Sequence, residues 1–303
     1  MRFSIWPNLA QPAADVVAIV RHAEATGWDG AYVADHFMGD GGGFGAVEMP
    51  TLEATAMLAA LASATDRIRL ASLVFGMTYR HPAVLANWAA TVDHLSNGRL
   101  TLGVGAGWQE NEHEQYGIEL PPVGARVSRF EEGCRVINGL LRDARTTIDG
   151  RWYELTDAVC EPKPVQQPLP LLIGGKGDRM LRITARYADA WNMWSLPDTL
   201  AERRGVLDQA CEAIDRDPAA IATSTQALVR LTDDAASAQR FVERVAPRAA
   251  VGGTIDQVAD VVAGWREAGV DEVIVPDMAM GTGAAKIEMM DQLIEGLGPS
   301  FRS

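Results

Sequence analysis

Short runs that are apolar at nearly every position alternate along this chain with longer segments that are apolar on one face only. Arg2–Trp6, Trp28–Ala34, Ile68–Phe75 and Leu100–Val104 read as strands, and Ala13–Thr26, Leu52–Ala64 and Pro82–Leu95 read as the helices between them. In Ala13–Thr26, Val16, Val17, Ile19, Val20 and Ala23 form a broad apolar face, and Gly27 ends it. Strands with no polar alternation suit a parallel sheet covered on both faces.

The second half continues the alternation with one interruption. Val127–Leu141 reads as a helix, and Asp149-Gly150 inside Thr146–Leu155 is a hairpin signal. Val159–Pro170 holds four prolines, which predicts an irregular, extended stretch. Strands at Leu171–Ile173, Ala190–Trp194, Ser224–Leu231 and Glu272–Pro276 then alternate with helices at Arg179–Tyr187, Leu200–Arg216, Ala235–Val245, Ile255–Ala268 and Ala284–Leu297. Eight parallel strands joined by right-handed crossovers close into a (β/α)8 TIM barrel. The expectation is one domain over residues 1–303 with an insertion at about 145–169. A doubly wound open sheet is the alternative, but no GxGxxG follows the first strand.

Length agrees with this picture, because a barrel of roughly 250 residues with insertions is one domain, and this chain has 303. A formal net charge of −13 argues against nucleic acid and anionic membrane surfaces as partners. No apolar run reaches the roughly 20 residues that cross a bilayer. MRFSIWPNLAQP lacks the pattern of a secretion signal, so a cytosolic protein is expected. Cys134, Cys160 and Cys211 are scattered and read as reduced structural thiols.

A barrel takes its chemistry from the C-terminal ends of its strands. Asp35-His36-Phe37 ends the second strand there, and His36 is the acid/base candidate because imidazole titrates near neutrality. A hydrogen-bonded filler is the competing reading. His22 and His94 lie inside helices and read as structural, as do Asp29, Asp93 and Arg99. Gly174-Gly175-Lys176-Gly177, opening a helix with Arg179, has the character of an anion site: glycines admit close backbone approach and the helix N-terminus favours negative charge. It also serves as a tight turn without a ligand. Gly103–Gly107 is no Walker loop; small residues there either seat a flat ring or ease a turn. Gly39–Gly45 reads either as a mobile substrate loop or as a plain solvated one. Trp6, Phe37, Phe75, Met77, Trp108 and Trp194 suggest an apolar mouth, although the same residues also suit a core. No GxSxG occurs, and no His/Asp/Glu cluster has metal spacing.

The blocks ADHF (34–37), IRLASLVFGMTYRHPAVLANWAATVDHLSNGRLTLGVGAGW (68–108), YGIELP (116–121), PLLIGGKGDRMLRITARYADAWN (170–192) and DRDPAAI (215–221) resemble the luciferase-like monooxygenase superfamily. More narrowly they resemble its actinobacterial branch of oxidoreductases that use coenzyme F420. The resemblance implies a deazaflavin at the barrel mouth, with His36 catalytic and Asp35 beside the ring. It implies a non-prolyl cis peptide at Ser72-Leu73 behind the ring. It places Gly105, Ala106, Gly107 and Asn111 against the ring and ribityl chain. Gly174, Gly175, Lys176, Gly177 and Arg179 match the phosphate-binding turn. Sugar-phosphate dehydrogenases of this kind carry Glu where this chain has Trp108, which speaks against sugar-phosphate oxidation. The resemblance thus implies hydride exchange between coenzyme F420 and a small molecule. FMN with oxygen chemistry, or a non-catalytic flavin or deazaflavin carrier, are the alternatives, and a homodimer is left open.

Overall fold

The computed structural model describes Met1–Arg302. Its central strands are β1 (Arg2–Trp6), β2 (Gly30–Val33), β3 (Arg69–Ser72), β4 (Leu100–Gly105), β5 (Leu171–Gly174), β6 (Ala190–Trp194), β7 (Ala222–Gln226) and β8 (Glu272–Pro276). Every neighbouring pair among them is parallel, β1 pairs with β8, and the β3–β4 pairing Leu70↔Leu100 closes the ring. The expected (β/α)8 barrel is therefore present.

Helices α1 (Ala13–Thr26), α2 (Ala54–Ala64), α3 (Pro82–Ser96), α4 (Glu110–Tyr116), α5 (Val123–Arg142), α6 (Asp178–Tyr187), α7 (Pro197–Glu212), α8 (Ala235–Val245), α9 (Ile255–Glu267) and α10 (Ala284–Phe301) follow in chain order. Gly27 ends α1 at φ 91°, as its sequence position predicts. Thr254 and Gln257 cap α9 reciprocally.

Two apolar layers result. Side chains on the outer face of the strands pack against the helices in one large core. Inside the barrel, Trp6, Tyr32, Ala71, Leu73, Leu172 and Ile274 form a second cluster. The N-terminal end is closed by polar pairing: the Ser4 hydroxyl donates to Glu272 at 2.5 Å, and Arg2 pairs with Glu272 at 3.1 Å. The C-terminal end is left for the cavity described below.

Three features depart from the sequence expectation. Ser224–Leu231 is not one strand: β7 stops at Gln226, and Leu228–Leu231 leaves the barrel to pair, parallel, with Ala250–Gly253. That partner, AVGG, is too short and too small-sided to announce itself between two helices. Helix α4, ENEHEQY, has no apolar period and was equally silent. The non-prolyl cis peptide lies at Leu73-Val74 rather than at Ser72-Leu73. Ser72 is still in the ladder opposite Val33, and the Leu73 N–H still donates to the Val33 carbonyl at 2.8 Å. The chain leaves the sheet only after Leu73. The hairpin expected in the insertion is formed by Thr146–Asp149 and Glu154–Ala158.

Candidate functional site

A cavity of about 750 Å³ opens at the C-terminal end of the barrel. Strand ends supply its walls: Trp6 from β1, Asp35 and His36 beyond β2, Leu73 and Val74 beyond β3, Gly105 from β4, Trp194 from β6 and Gln226 from β7. A smaller space of about 300 Å³ continues from it past Val74 and Trp194 to Gly174, Gly175 and Lys176 after β5. Both spaces share Lys176 and Gln226. Gln226 lines both, and its Oε1 atom is buried without a partner among the described residues.

His36 stands on the wall, three-quarters covered. Its Nδ1 lies 3.2 Å from Glu112 Oε2, and its ring meets the edge of Trp108 at 5.5 Å. Glu112 comes from α4 and is fully buried. It also accepts from the Phe37 N–H at 2.5 Å, the Met38 N–H at 3.2 Å and the Tyr79 hydroxyl at 2.5 Å. Burial pushes the Glu112 carboxyl up, but the bonds from His36, Tyr79 and Phe37 outweigh it and hold the group below its ordinary value. A carboxylate at Nδ1 makes that nitrogen the donor and leaves Nε2 as the free nitrogen of the ring. Burial and the same carboxylate push the Tyr79 hydroxyl far upward, so it acts only as a donor.

Asp35 plays a different part. Its carboxylate accepts from Arg80 through both oxygens, at 2.7 and 2.9 Å, and from the Gly76 N–H at 3.0 Å. Burial pushes its carboxyl above the usual range, and Arg80 pulls it only part of the way back. Arg80 is held in turn by Glu53 at 2.5 Å. With all its partners inside the protein, Asp35 braces the segment after β3 against the segment after β2.

The glycine turn after β5 is held from behind. Gly175 sits at φ 151°, a conformation that side-chain-bearing residues rarely adopt. Its N–H donates to the Asn192 carbonyl at 3.1 Å, and its carbonyl accepts from Trp191 Nε1 at 2.7 Å. Lys176 is exposed at the rim. Asp178, in the first turn of α6, is tied outward to Arg203 at 2.5 Å.

Of the residues singled out from sequence, Asp35, His36, Leu73, Gly105, Gly107, Gly174, Gly175 and Lys176 come together on these walls. Ser72, Ala106, Asn111, Gly177 and Arg179 do not line them. The Ser72 hydroxyl bridges to the Gly103 backbone at 2.8 and 2.9 Å, joining β3 to β4. Asn111 donates to the Gly39 carbonyl at 2.9 Å. Arg179 turns toward α5, donating to the Gly124 carbonyl at 3.0 Å and to Ser128 at 2.6 Å. Of the supposed apolar mouth, Trp6, Trp108 and Trp194 line the cavity, whereas Phe75 and Met77 are core. Sequence reasoning placed Glu112 after the fourth strand without giving it a role, and missed Tyr79, Phe44, Gln226 and Arg248. Glu112 sits one position beyond Asn111, but only the return of α4 to the β2 end brings it to His36.

Residues 1–247 match the family model described as luciferase-like monooxygenase. An F420-dependent glucose-6-phosphate dehydrogenase of Beutenbergia cavernae is 34% identical over 58% of this chain, and the match spans about half of that protein, 51%. The enzyme of the same name from Kineococcus radiotolerans is 28% identical, with 83% of each chain covered. An F420-dependent secondary alcohol dehydrogenase solved with an F420-acetone adduct superposes with a TM-score of 0.85 at 19% identity, over 98% of both chains. A coenzyme F420-dependent tetrahydromethanopterin reductase from Methanopyrus kandleri gives 0.83 at 18% identity, over 99% of both. At such identity these two structures establish the shared fold. The family match over 1–247 carries the assignment: the chain belongs to the luciferase-like monooxygenase family.

Proposed function

We propose that this chain is an oxidoreductase that transfers a hydride between coenzyme F420 and a small organic substrate. One observation carries the reading: an imidazole, fixed by a buried carboxylate, faces a cavity that runs on into a glycine turn bearing Lys176. The names of the relatives, F420-dependent dehydrogenases and a reductase, point the same way.

The residues present fit such a cofactor. The Gln226 side-chain amide, on the lining of both spaces, suits the polar edge of such a ring. The Gly174-Gly175-Lys176 turn, with its backbone and the Lys176 ammonium, suits a phosphate. Leu73, Val74 and Gly105 offer an apolar wall for a flat ring. When bound, a deazaflavin supplies a carbon centre that gives or takes a hydride, and the protein supplies position and electrostatics.

The chain's own part in the chemistry is proton management. Glu112 keeps the proton of neutral His36 on Nδ1, so Nε2 accepts the hydroxyl proton of an alcohol substrate. In the reverse direction the protonated ring donates from Nε2 to a carbonyl oxygen. Trp108, Phe44 and Trp194 line the cavity around it and reduce its access to water. Asp35, spent on Arg80, holds the wall and exchanges no proton.

The test is turnover. Reduced or oxidised F420 is incubated with the protein and a panel of ketones, aldehydes and alcohols, and the deazaflavin absorbance is followed. Hydride exchange with at least one member is expected. Oxygen-consuming turnover with reduced FMN, and none with F420, would reverse the assignment.

A further inference from the structure

Beyond Phe44 and Trp194 a second chamber of about 380 Å³ adjoins the main cavity, and those two residues and Arg248 line both. Its walls are of two kinds. Phe44, Trp194, Leu228 and Phe241 are apolar, whereas Arg230, Arg244 and Arg248 bring three guanidinium groups to one concavity. Among the described residues no carboxylate lines it. Among the described residues Arg230 and Arg244 have no ion-pair partner, and the carboxylate nearest Arg248 is Asp40 at 3.9 Å. Elsewhere in the chain most arginines near the barrel are consumed by carbonyls or carboxylates, as Arg80, Arg99 and Arg204 are. Two unpaired guanidinium groups beside a third that is only loosely paired repel one another, and in a chain of net charge −13 they stand out as a local field of the opposite sign.

Phe44 and Trp194, in edge-to-face contact at 6.3 Å, stand between the chamber and the reacting end. The Phe44 ring is 6.0 Å from the His36 ring and 4.1 Å from Arg248 Cζ, so one aromatic residue spans the gap. The loop that carries Phe44 is closed on itself rather than loose: Asp40 accepts from the Gly42 and Phe44 N–H groups at 2.9 and 2.8 Å. A Cβ on Gly43 would meet the Arg248 guanidinium, so the loop and that arginine lie against each other. Trp194 Nε1 donates to the Ala249 carbonyl at 3.0 Å and pins the segment bearing Arg248 to the end of β6.

We propose that this chamber binds the acidic group of the substrate, which is therefore an organic anion with an apolar body. The acid lies against the arginines, the apolar body passes Phe44 and Trp194, and the reacting carbon is presented at His36. Guanidinium forks suit the planar, bidentate demand of a carboxylate and serve a phosphoryl group as well. The inference rests on the reading of the main cavity as the cofactor and reaction site.

Three probes of one shape test it by calorimetry on the purified chain without cofactor: naphthalene-2-carboxylate, its neutral carboxamide and 2-naphthyl phosphate. The carboxylate is expected to bind at least tenfold more tightly than the carboxamide, with an affinity that falls as salt is raised. Naphthyl phosphate binding in the carboxylate's place also supports an anion chamber and assigns the acid as a phosphoryl group. Arg230→Gln and Arg244→Gln, both at exposed positions, are each expected to weaken the anions several-fold and leave the carboxamide unchanged. Equal binding of carboxylate and carboxamide, or anion affinities untouched in both variants, overturns the proposal. So does a loss of F420 affinity in those variants, which would assign the arginines to the cofactor. Failure of F420 to bind the unaltered protein is a separate result: it sinks the cofactor reading, while naphthoate binding is read without it.

Discussion

At the scale of single residues, His36 and Glu112 form one unit. Replacing His36 by Ala is expected to keep F420 affinity within a few-fold and to lower turnover by roughly 10²–10⁴, the usual contribution of a positioned acid or base. A histidine that only packs would give the opposite split, weaker binding and nearly intact single-turnover transfer. Glu112→Gln keeps the shape but removes the charge that holds Nδ1. Because the folded carboxyl titrates below its ordinary value of 4.5, its contribution to stability is present above that pH and is lost as pH falls through the folded value. The variant is therefore expected to be about 1–3 kcal/mol less stable at pH 7, and the gap should narrow below pH ~4.5. Urea melts at pH 7 and pH 3.5 check this; a gap that widens in acid contradicts the assignment. His36 itself was legible from its place after an apolar strand. Its partner was not, because sequence carries no sign that α4 returns to the end of β2.

At the scale of elements, the apolar runs were readable wherever a strand is covered on both sides, as in Leu100–Val104 and Leu171–Ile173. Legibility failed where small or polar residues do the pairing. AVGG at Ala250–Gly253 and the polar α4 are both stabilised by what they pack on, not by their own pattern. The site divides the same way. The glycine turn after β5 was visible, but the direction of Arg179 was not, since a side chain four residues along can serve α5 as easily as the cavity. This makes Lys176 the cation to test in that turn. Lys176→Ala is expected to weaken F420 binding about tenfold with the circular dichroism unchanged, in line with loss of one charge-assisted contact. It is a cleaner probe than Gly175→Asp, which would also strain the backbone at φ 151°. Full F420 affinity in the lysine variant would remove the turn from the phosphate assignment.

At the scale of the whole molecule, an acidic barrel brings Lys176, Arg230, Arg244 and Arg248 to the cavities at its mouth. Strand ends set the walls, α4 brings in the carboxylate behind the imidazole, and the excursion between β7 and β8 adds the arginines. The central claim is that this cavity is built for a deazaflavin. The most direct measurement is an equilibrium fluorescence titration of the purified protein, freed of any bound ligand, with coenzyme F420 and with FMN under the same conditions. F420 is expected to bind at least tenfold more tightly, a difference of about 1.4 kcal/mol. Tighter binding of FMN, or saturation by FMN alone, would contradict the account.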